Sequence, residues 1–163
     1  NVSALTHAHI RSLIACGIYC SIAAMLIGSL ELSTAVSLGI SKAVEFYRRH
    51  EEYSDELSHY ERLNNKSFAS VPAEEIKSSG YVVDTLEAAV WCLLNSYNYK
   101  ECVLTAVNLG EDTDTVAAIA GGLAGLYYGY GSIPQEWLSV IVRLDYVEGI
   151  CSKLYEALSQ RNF

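Results

Sequence analysis

The sequence predicts an all-α fold, a compact single-domain bundle of about seven or eight helices. The chain has 163 residues, which is the size of one domain and enough to bury a core. Apolar residues make up 51% of it, so a disordered segment is excluded. It contains only two prolines, and no segment has the pattern of two strands joined by a tight turn. Together these observations favour helices throughout.

The charge of the chain argues against one class of partner. A formal net charge of −8 disfavours nucleic-acid binding through an extended basic face. An acidic chain is compatible with binding divalent metal, but most acidic proteins are acidic for solubility. The net charge therefore argues against a nucleic-acid partner but does not by itself predict a metal site.

The cysteines predict neither a zinc site nor a disulfide framework. They are odd in number, scattered, and without a C-x-x-C pair. We expect each to pack as a small apolar residue in a reducing, cytoplasmic compartment. They are Cys16, Cys20, Cys92, Cys102 and Cys151.

The first long helix is predicted within residues 12–30, which carry no charged side chain. This run is close to the length needed to span a bilayer. It lacks an aromatic belt and a flanking cluster of Lys and Arg, so we interpret it as a buried central helix rather than a membrane span. Arg11 and Glu31 should mark its ends.

The next helix should begin at Ser33, a plausible N-cap, and run to about Arg49. Residues 48–66 are crowded with charge and have few aliphatic side chains, which is typical of a solvated face. Ser54 could cap a short surface helix there.

A third long helix is predicted from about Asp84 to Asn95. Asn98 and Glu101 have the spacing of a capping box, and the helix that they begin should reach Asn108.

Two more helix starts follow later in the chain. Ser132 and Gln135 have the same spacing with a proline between them, and Asp145 and Glu148 repeat it. The last helix should pass through Leu154.

Residues 108–115, NLGEDTDT, precede an apolar, glycine-rich helix. Asp112 and Asp114 would point to nearly opposite sides of an ideal helix, so both can face one point only from the turn before it. Gly110 gives the freedom for such a turn, and Thr115 adds a hydroxyl. These hard oxygen donors suit magnesium, manganese or calcium. The alternative, which spacing alone favours, is an Asp N-cap with a second acid favoured by the helix dipole.

The helix behind this turn has a ridge without large side chains. Ala117, Gly121, Gly125 and Gly129 recur every four residues. Such a ridge should let another helix backbone approach closely, and a membrane dimerisation face is the alternative use of this spacing. The run is only weakly apolar, so we favour close packing inside a helical core.

Two further segments carry candidate binding residues. His7 and His9 lie two residues apart just before the first long helix, and they predict either a metal site or a hydrogen-bonding His at a helix start. Ser79, Gly80 and Tyr81 follow another serine in a small-residue loop that suits wrapping a phosphate and stacking on a base. Neither pattern is specific by itself.

Taken together, these segments resemble the ADP-ribosylglycohydrolase family, the group of dinitrogenase-reductase-activating glycohydrolase and its relatives. Residues 3–7, SALTH, look like its S-x-L-T-H element, and residues 79–86, SGYVVDTL, resemble its glycine-tyrosine loop. Residues 108–129, NLGEDTDTVAAIAGGLAGLYYG, match its most distinctive block almost throughout. Three ordered elements make this a specific match.

The resemblance implies an all-helical fold that holds two magnesium or manganese ions. It implies that Asp112, Asp114 and Thr115 are metal ligands. His7 would contact bound ADP-ribose. The loop of Ser79, Gly80 and Tyr81 would hold the adenosine and phosphate end, with Tyr81 stacking on the adenine.

The resemblance covers the C-terminal half of that family's domain, so residues 1–163 are expected to be its C-terminal part. The family's remaining metal ligands lie in an N-terminal D-D-T element that this chain does not contain, and the general base is expected in that half too. We therefore expect the chain alone to be inactive, with a complementing N-terminal segment required. Glu111 is a second departure, because relatives often have Gly there.

The implied activity is hydrolysis of the glycosidic bond between ADP-ribose and its acceptor, a protein side chain or a small ADP-ribose derivative. Paired cations would orient the ribose hydroxyls and polarise a water. The alternative is a catalytically inactive, crystallin-like or structural relative, or an inert half-domain. The sequence leaves the acceptor linkage open, and it predicts no nucleic-acid or membrane partner.

Overall fold

The computed structural model describes residues 2–28 and 30–160, and within them the chain is helical. These residues form eight α-helices and no β-strand, which confirms the predicted all-α class. The helices are α1 (Ile10–Ile27), α2 (Leu32–Arg48), α3 (Ser54–Leu57), α4 (Val82–Leu94), α5 (Tyr99–Asn108), α6 (Thr113–Tyr128), α7 (Gln135–Leu138) and α8 (Leu144–Ser159). One-turn 3₁₀ helices lie at Ser3–Leu5, Glu51–Tyr53, Ser58–Tyr60, Phe68–Ser70, Ala73–Glu75 and Tyr130–Ser132.

The chain divides into two units by its internal contacts. The first, Asn1–Ser132, contains α1 to α6 and the hydrophobic core cluster. The second, Ile133–Phe163, contains α7 and the amphipathic α8, whose side chains are exposed apart from that of Leu144. The extent of one family domain over residues 1–163 stays a prediction.

The core of the first unit is built on α1, which packs chiefly against α2 and also contacts α4 and α6. Ile14, Ile18 and Ile22 of α1 are completely buried. Gly39 of α2 permits the close contact, because a Cβ there would lie 2.6 Å from the Cα of Ile22. The helix backbones thus meet where α2 lacks a side chain.

Helix α1 is, within the described residues, the one helix long and apolar enough to cross a membrane by length and composition. Core helices pass the same test. One face of α1 contributes five residues to the buried core, while Cys16, Cys20 and Ile27 are exposed. The prediction of a buried central helix is therefore met on one face only, and α4, with ten buried residues, is the more deeply buried helix.

The glycine ridge of α6 faces α5, as close packing requires, but side chains rather than a helix backbone fill it. A Cβ on Gly121 would lie 3.3 Å from Tyr99 Oη and 3.4 Å from Val103 Cγ2. The expectation of a backbone in close approach was wrong, because the ring of Tyr99 occupies that space. Gly129 ends the helix with φ 82°.

For two helices the start was predicted near the right position, but the predicted residue is not the N-cap. Glu31, not Ser33, caps α2, because its carboxylate accepts hydrogen bonds from the N–H groups of Ser33 and Thr34. Asp145 lies in the first turn of α8, after the left-handed Arg143. The Asn98 cap of α5 is confirmed by a 2.9 Å hydrogen bond from the N–H of Glu101.

Two other helix starts also moved. Helix α4 begins at Val82, two residues before the predicted Asp84, and its N-cap is Tyr81. Ser132 does not cap α7, since its hydroxyl donates to the carbonyl of Gly129.

The cysteines are all free thiols, as predicted, but they do not all pack inside. Cys92 and Cys102 are buried, and burial raises the pKa of Cys92 to about 12 and that of Cys102 to about 11. Cys16, Cys20 and Cys151 are exposed, so the expectation of packed thiols was wrong for these three.

Candidate functional site at the start of helix α6

The turn before α6 begins with two residues in left-handed backbone conformations. Gly110 has φ 94°, which confirms its predicted role as the residue that permits the turn. Glu111 has φ 54°, where a Cβ is disfavoured. The glycine that the family resemblance leads us to expect at this position would adopt this backbone without strain.

Asp112 follows as the residue immediately before the helix. Its backbone is not helical, with φ −87° and ψ 63°, and its side chain makes no capping hydrogen bond. Side-chain capping, which spacing alone favoured, is therefore wrong for Asp112. Its half-buried carboxylate is not committed to the N–H groups of α6.

Asp114 and Thr115 lie one and two residues inside the helix, and both are exposed. An acidic side chain in this first turn interacts favourably with the helix dipole. The prediction had both aspartates in the turn, whereas only Asp112 is there. In an ideal helix, side chains two residues apart point to nearly opposite sides. Asp112 precedes the helix, so this restriction does not apply to the carboxylates of Asp112 and Asp114.

The 78–81 loop contacts this turn directly through Ser78, which is 2% exposed. The Ser78 hydroxyl donates a 2.9 Å hydrogen bond to the carbonyl of Gly110, 32 residues away. Its own carbonyl accepts a 3.1 Å hydrogen bond from the N–H of Asp112. A Cβ on Gly80 would lie 2.8 Å from Asp112 Oδ2. The predicted loop and the predicted metal turn are therefore neighbours.

Helix α4 holds the same loop from its other side. The hydroxyl of Ser79 donates to Asp84 Oδ2 at 2.7 Å, and the hydroxyl of Thr85 donates to the Ser79 carbonyl at 2.9 Å. Asp84 was expected only as a helix start, so its contact with the loop was missed.

Tyr81 is joined to α1 by Arg11, a contact that sequence reasoning missed. Arg11 Nη1 donates a 2.7 Å hydrogen bond to Tyr81 Oη, and the guanidinium carbon lies 5.7 Å from the ring centroid. Arg11 Nε also donates to Glu56 Oε2, which lowers the pKa of Glu56 and raises that of Arg11. Tyr81 as a residue remains 41% exposed, so part of it is accessible beside the loop.

The two histidines play different parts. The Nδ1 of His9 accepts a 3.1 Å hydrogen bond from the N–H of Arg11 and caps α1, so the prediction of a hydrogen-bonding His at a helix start is confirmed for it. His7 is exposed, with its Nδ1 3.0 Å from Thr6 Oγ1. Among the described residues, no hydrogen bond joins His7 to the 78–81 loop or to Asp112.

The predicted metal ligands at the start of α6 form a small set of oxygen donors. Within residues 2–28 and 30–160, no group of three or more His, Cys, Asp or Glu side chains could hold a metal ion. Asp112 and Asp114 offer carboxylate oxygens, and Thr115 offers a hydroxyl oxygen. Their assignment as metal ligands stays a prediction.

Comparison with known proteins supports the resemblance over the whole chain. The sequence model of the family described as ADP-ribosylglycohydrolase matches residues 1–162. The ADP-ribosylarginine hydrolase Tri1 of Serratia proteamaculans is 40% identical over 101 residues, which are 62% of this chain and 28% of that protein. The ADP-ribosyl-[dinitrogen reductase] glycohydrolase of Rhodospirillum rubrum is 43% identical over 63 residues, 39% of this chain and 21% of that protein.

A third relative is more distant but matches a longer segment. Human ADP-ribosylhydrolase ARH3 is 28% identical over 127 residues, 69% of this chain and 34% of that protein. The chain thus spans about a fifth to a third of the length of these curated relatives. Since the family model covers nearly every residue, the chain belongs to the ADP-ribosylglycohydrolase family.

Proposed function

We propose that this chain supplies one side of a dinuclear magnesium or manganese site that hydrolyses the glycosidic bond between ADP-ribose and its acceptor. The acceptor would be a protein side chain or a small ADP-ribose derivative. Family membership supports the reaction class, and the names of relatives specify ADP-ribosylarginine and ADP-ribosyl-dinitrogen reductase as the substrates of those proteins. The observation that carries the proposal is the position of the Asp112 carboxylate, which makes no capping hydrogen bond to α6 and lies beside Gly80.

The donors present fit a hard divalent cation. Asp112, Asp114 and Thr115 offer carboxylate and hydroxyl oxygens, which magnesium and manganese prefer over nitrogen and sulfur. Asp112 makes no hydrogen bond to α6 through its side chain, so a ligand role does not compete with capping. Bound ions would polarise a water and orient the ribose hydroxyls. The remaining ligands and the general base would come from a complementing N-terminal segment.

The 78–81 loop would bind the other end of the substrate. Ser79 and Gly80 would approach the phosphates, and the ring of Tyr81 would stack on the adenine. Arg11 supports this role because it holds the Tyr81 hydroxyl while leaving part of the residue exposed. His7, which is exposed just before α1, would also contact the ADP-ribose. We place the reaction in the cytoplasm, where five free thiols stay reduced.

Replacement of the proposed ligands tests the assignment. With the complementing segment present, Asp112→Ala and Asp114→Ala should each abolish magnesium-dependent release of ADP-ribose from ADP-ribosylarginine. Asp145→Ala, an exposed acid in the first turn of α8, removes the same charge from another helix start and should leave release unchanged. Undiminished turnover in either ligand variant would exclude that aspartate as a ligand.

Calorimetry separates the enzyme from the inactive, crystallin-like alternative. An enzyme should bind magnesium and ADP-ribose together in the presence of the complementing segment, and the chain alone should bind metal weakly. Absence of both binding events with the segment present would favour the structural relative.

A further inference from the structure

Ser78 connects the two halves of the proposed site through both of its polar groups. Its hydroxyl donates to the Gly110 carbonyl at 2.9 Å, and its carbonyl accepts from the Asp112 N–H at 3.1 Å. The side chain is buried, so water does not compete for these bonds. The two hydrogen bonds reach Gly110 and Asp112, the residues on either side of Glu111.

The turn that Ser78 holds is strained. Gly110 and Glu111 both have positive φ, and a non-glycine residue in the left-handed region is disfavoured. Such a conformation persists where surrounding contacts determine it. The two hydrogen bonds of Ser78 lie on either side of Glu111 and are contacts of this kind. They hold the backbone of Asp112, and therefore the start of its side chain, in place.

The same loop is tied to α4 on its other side, through Ser79 and the side chains of Asp84 and Thr85. A ligand bound to residues 79–81 would therefore act on a segment with one attachment to α4 and one to the Asp112 turn. Ser78 directly precedes Ser79, which is hydrogen-bonded to α4, and Ser78 itself is hydrogen-bonded to the turn that contains Asp112.

We propose that Ser78 is a positioning residue that couples occupation of the 79–81 loop to the orientation of Asp112. ADP-ribose on the loop and a cation at Asp112 then strengthen each other's binding, since coupling between two sites is reciprocal. The inference rests on the proposed function for the identity of the two ligands. The hydrogen-bonded connection itself does not depend on them.

The first test needs no ligand. Ser78→Ala removes the hydroxyl, and we expect the amide hydrogen of Asp112 in the chain to exchange about fivefold faster or more, since one net hydrogen bond is lost. Ser96→Ala is the matched control, because Ser96 is also buried and its hydroxyl also donates to a backbone carbonyl, that of Cys92. It should leave exchange at Asp112 unchanged. Ser78→Cys keeps a weaker donor and should give an intermediate rate.

The second test measures coupling with the complementing segment present. In the unmodified chain, ADP-ribose should tighten Mn²⁺ binding by about fivefold or more, within the usual range of coupling between sites. In Ser78→Ala this ratio should fall towards one, whereas Ser96→Ala should retain it. The Mn²⁺ affinity is read from water-proton relaxation, so no turnover is required.

The outcomes separate the two proposals. If Mn²⁺ fails to bind the unmodified chain with the segment present, the metal assignment falls, and amide exchange alone decides the positioning role. If Mn²⁺ binds but neither the coupling ratio nor the exchange rate changes in Ser78→Ala, the positioning role is overturned and the metal assignment stands. Should Ser78→Ala not fold, Ser78→Cys decides by the same two readouts.

Discussion

The carboxylate of Asp112 lies against the α-carbon of Gly80, so close that a Cβ at position 80 would come within 2.8 Å of Oδ2. Gly80 has no left-handed φ, so its backbone would accept a side chain. A side chain at position 80 would therefore be opposed by the observed position of the Asp112 carboxylate and not by the backbone of the turn. This contact joins the 78–81 loop, which we propose binds ADP-ribose, to Asp112, which we propose is a metal ligand.

Gly80→Ala should weaken cation binding. The methyl group would displace the Asp112 carboxylate, and loss of ligand orientation commonly costs about tenfold or more in metal affinity. The measurement is Mn²⁺ affinity with the complementing segment present. Gly131→Ala is the matched control, because a Cβ there would meet no atom within 4 Å. Equal affinities for the two variants would show that the Asp112 position does not matter for binding.

Asp112→Ala should leave stability nearly unchanged. Its side chain makes no capping hydrogen bond, so we expect a change in the free energy of unfolding within about 0.5 kcal/mol. Asn98→Ala removes a real side-chain cap of α5 and should cost about 1 kcal/mol. Urea unfolding of both variants compares them. A loss at Asp112 as large as that at Asn98 would restore the capping explanation.

Glu31 should make stability depend on acid pH. Hydrogen bonds from the Ser33 hydroxyl, the Ser33 N–H and the Thr34 N–H lower the pKa of Glu31 from 4.5 to about 2. A lowered folded-state pKa gives stabilisation that is present above pH 4.5 and lost as pH falls towards 2.

Thermal unfolding across this pH range, followed by circular dichroism, compares the chain with Glu31→Gln. The difference in Tm should be constant above about pH 5 and shrink below pH 4.5. Ser33→Ala removes the hydroxyl that is the largest cause of the lowered pKa of Glu31. It should therefore narrow the pH range over which the difference in Tm changes. A Tm difference independent of pH would contradict the cap.

The cysteines should fall into two reactive classes. Cys16, Cys20 and Cys151 are exposed, while burial raises the pKa of Cys92 and Cys102 and hides both thiols. A colorimetric thiol reagent should therefore titrate three thiols rapidly in the folded chain and the other two only on unfolding. Cys92→Ala should leave the rapid count at three, and Cys16→Ala should reduce it to two. Five rapid thiols would mean that the core opens readily.

Much of the local structure follows from short-range patterns in the sequence. The all-α class was predicted because the chain has only two prolines and no segment with a strand-turn-strand pattern. The start of α5 was predicted from Asn98 and Glu101, three residues apart. Gly110 predicted the left-handed turn before α6 because few other residues adopt that backbone without strain. Such features depend on neighbours within one or two turns, so a linear sequence contains them.

Caps were harder, because several side chains compete for the same N–H groups. Ser33 and Glu31 could each serve α2, and only the three-dimensional course of the chain places the Glu31 carboxylate over both amides. The exposure of Cys16 and Cys20 was likewise hidden, since a thiol in an apolar run looks the same whichever side of the helix it occupies.

The sequence by itself determined the helical class, the donors at the start of α6 and, through residues 108–129, the family. Tertiary structure alone decided that Asp112 does not cap its helix, that Gly80 lies against its carboxylate, and that Arg11 holds Tyr81. The reason is physical: the last two relationships join segments separated by tens of residues, and packing of α1, α4 and α6 in one core brings these segments into contact. A local pattern names the chemistry of a side chain, but its partners depend on how the helices pack.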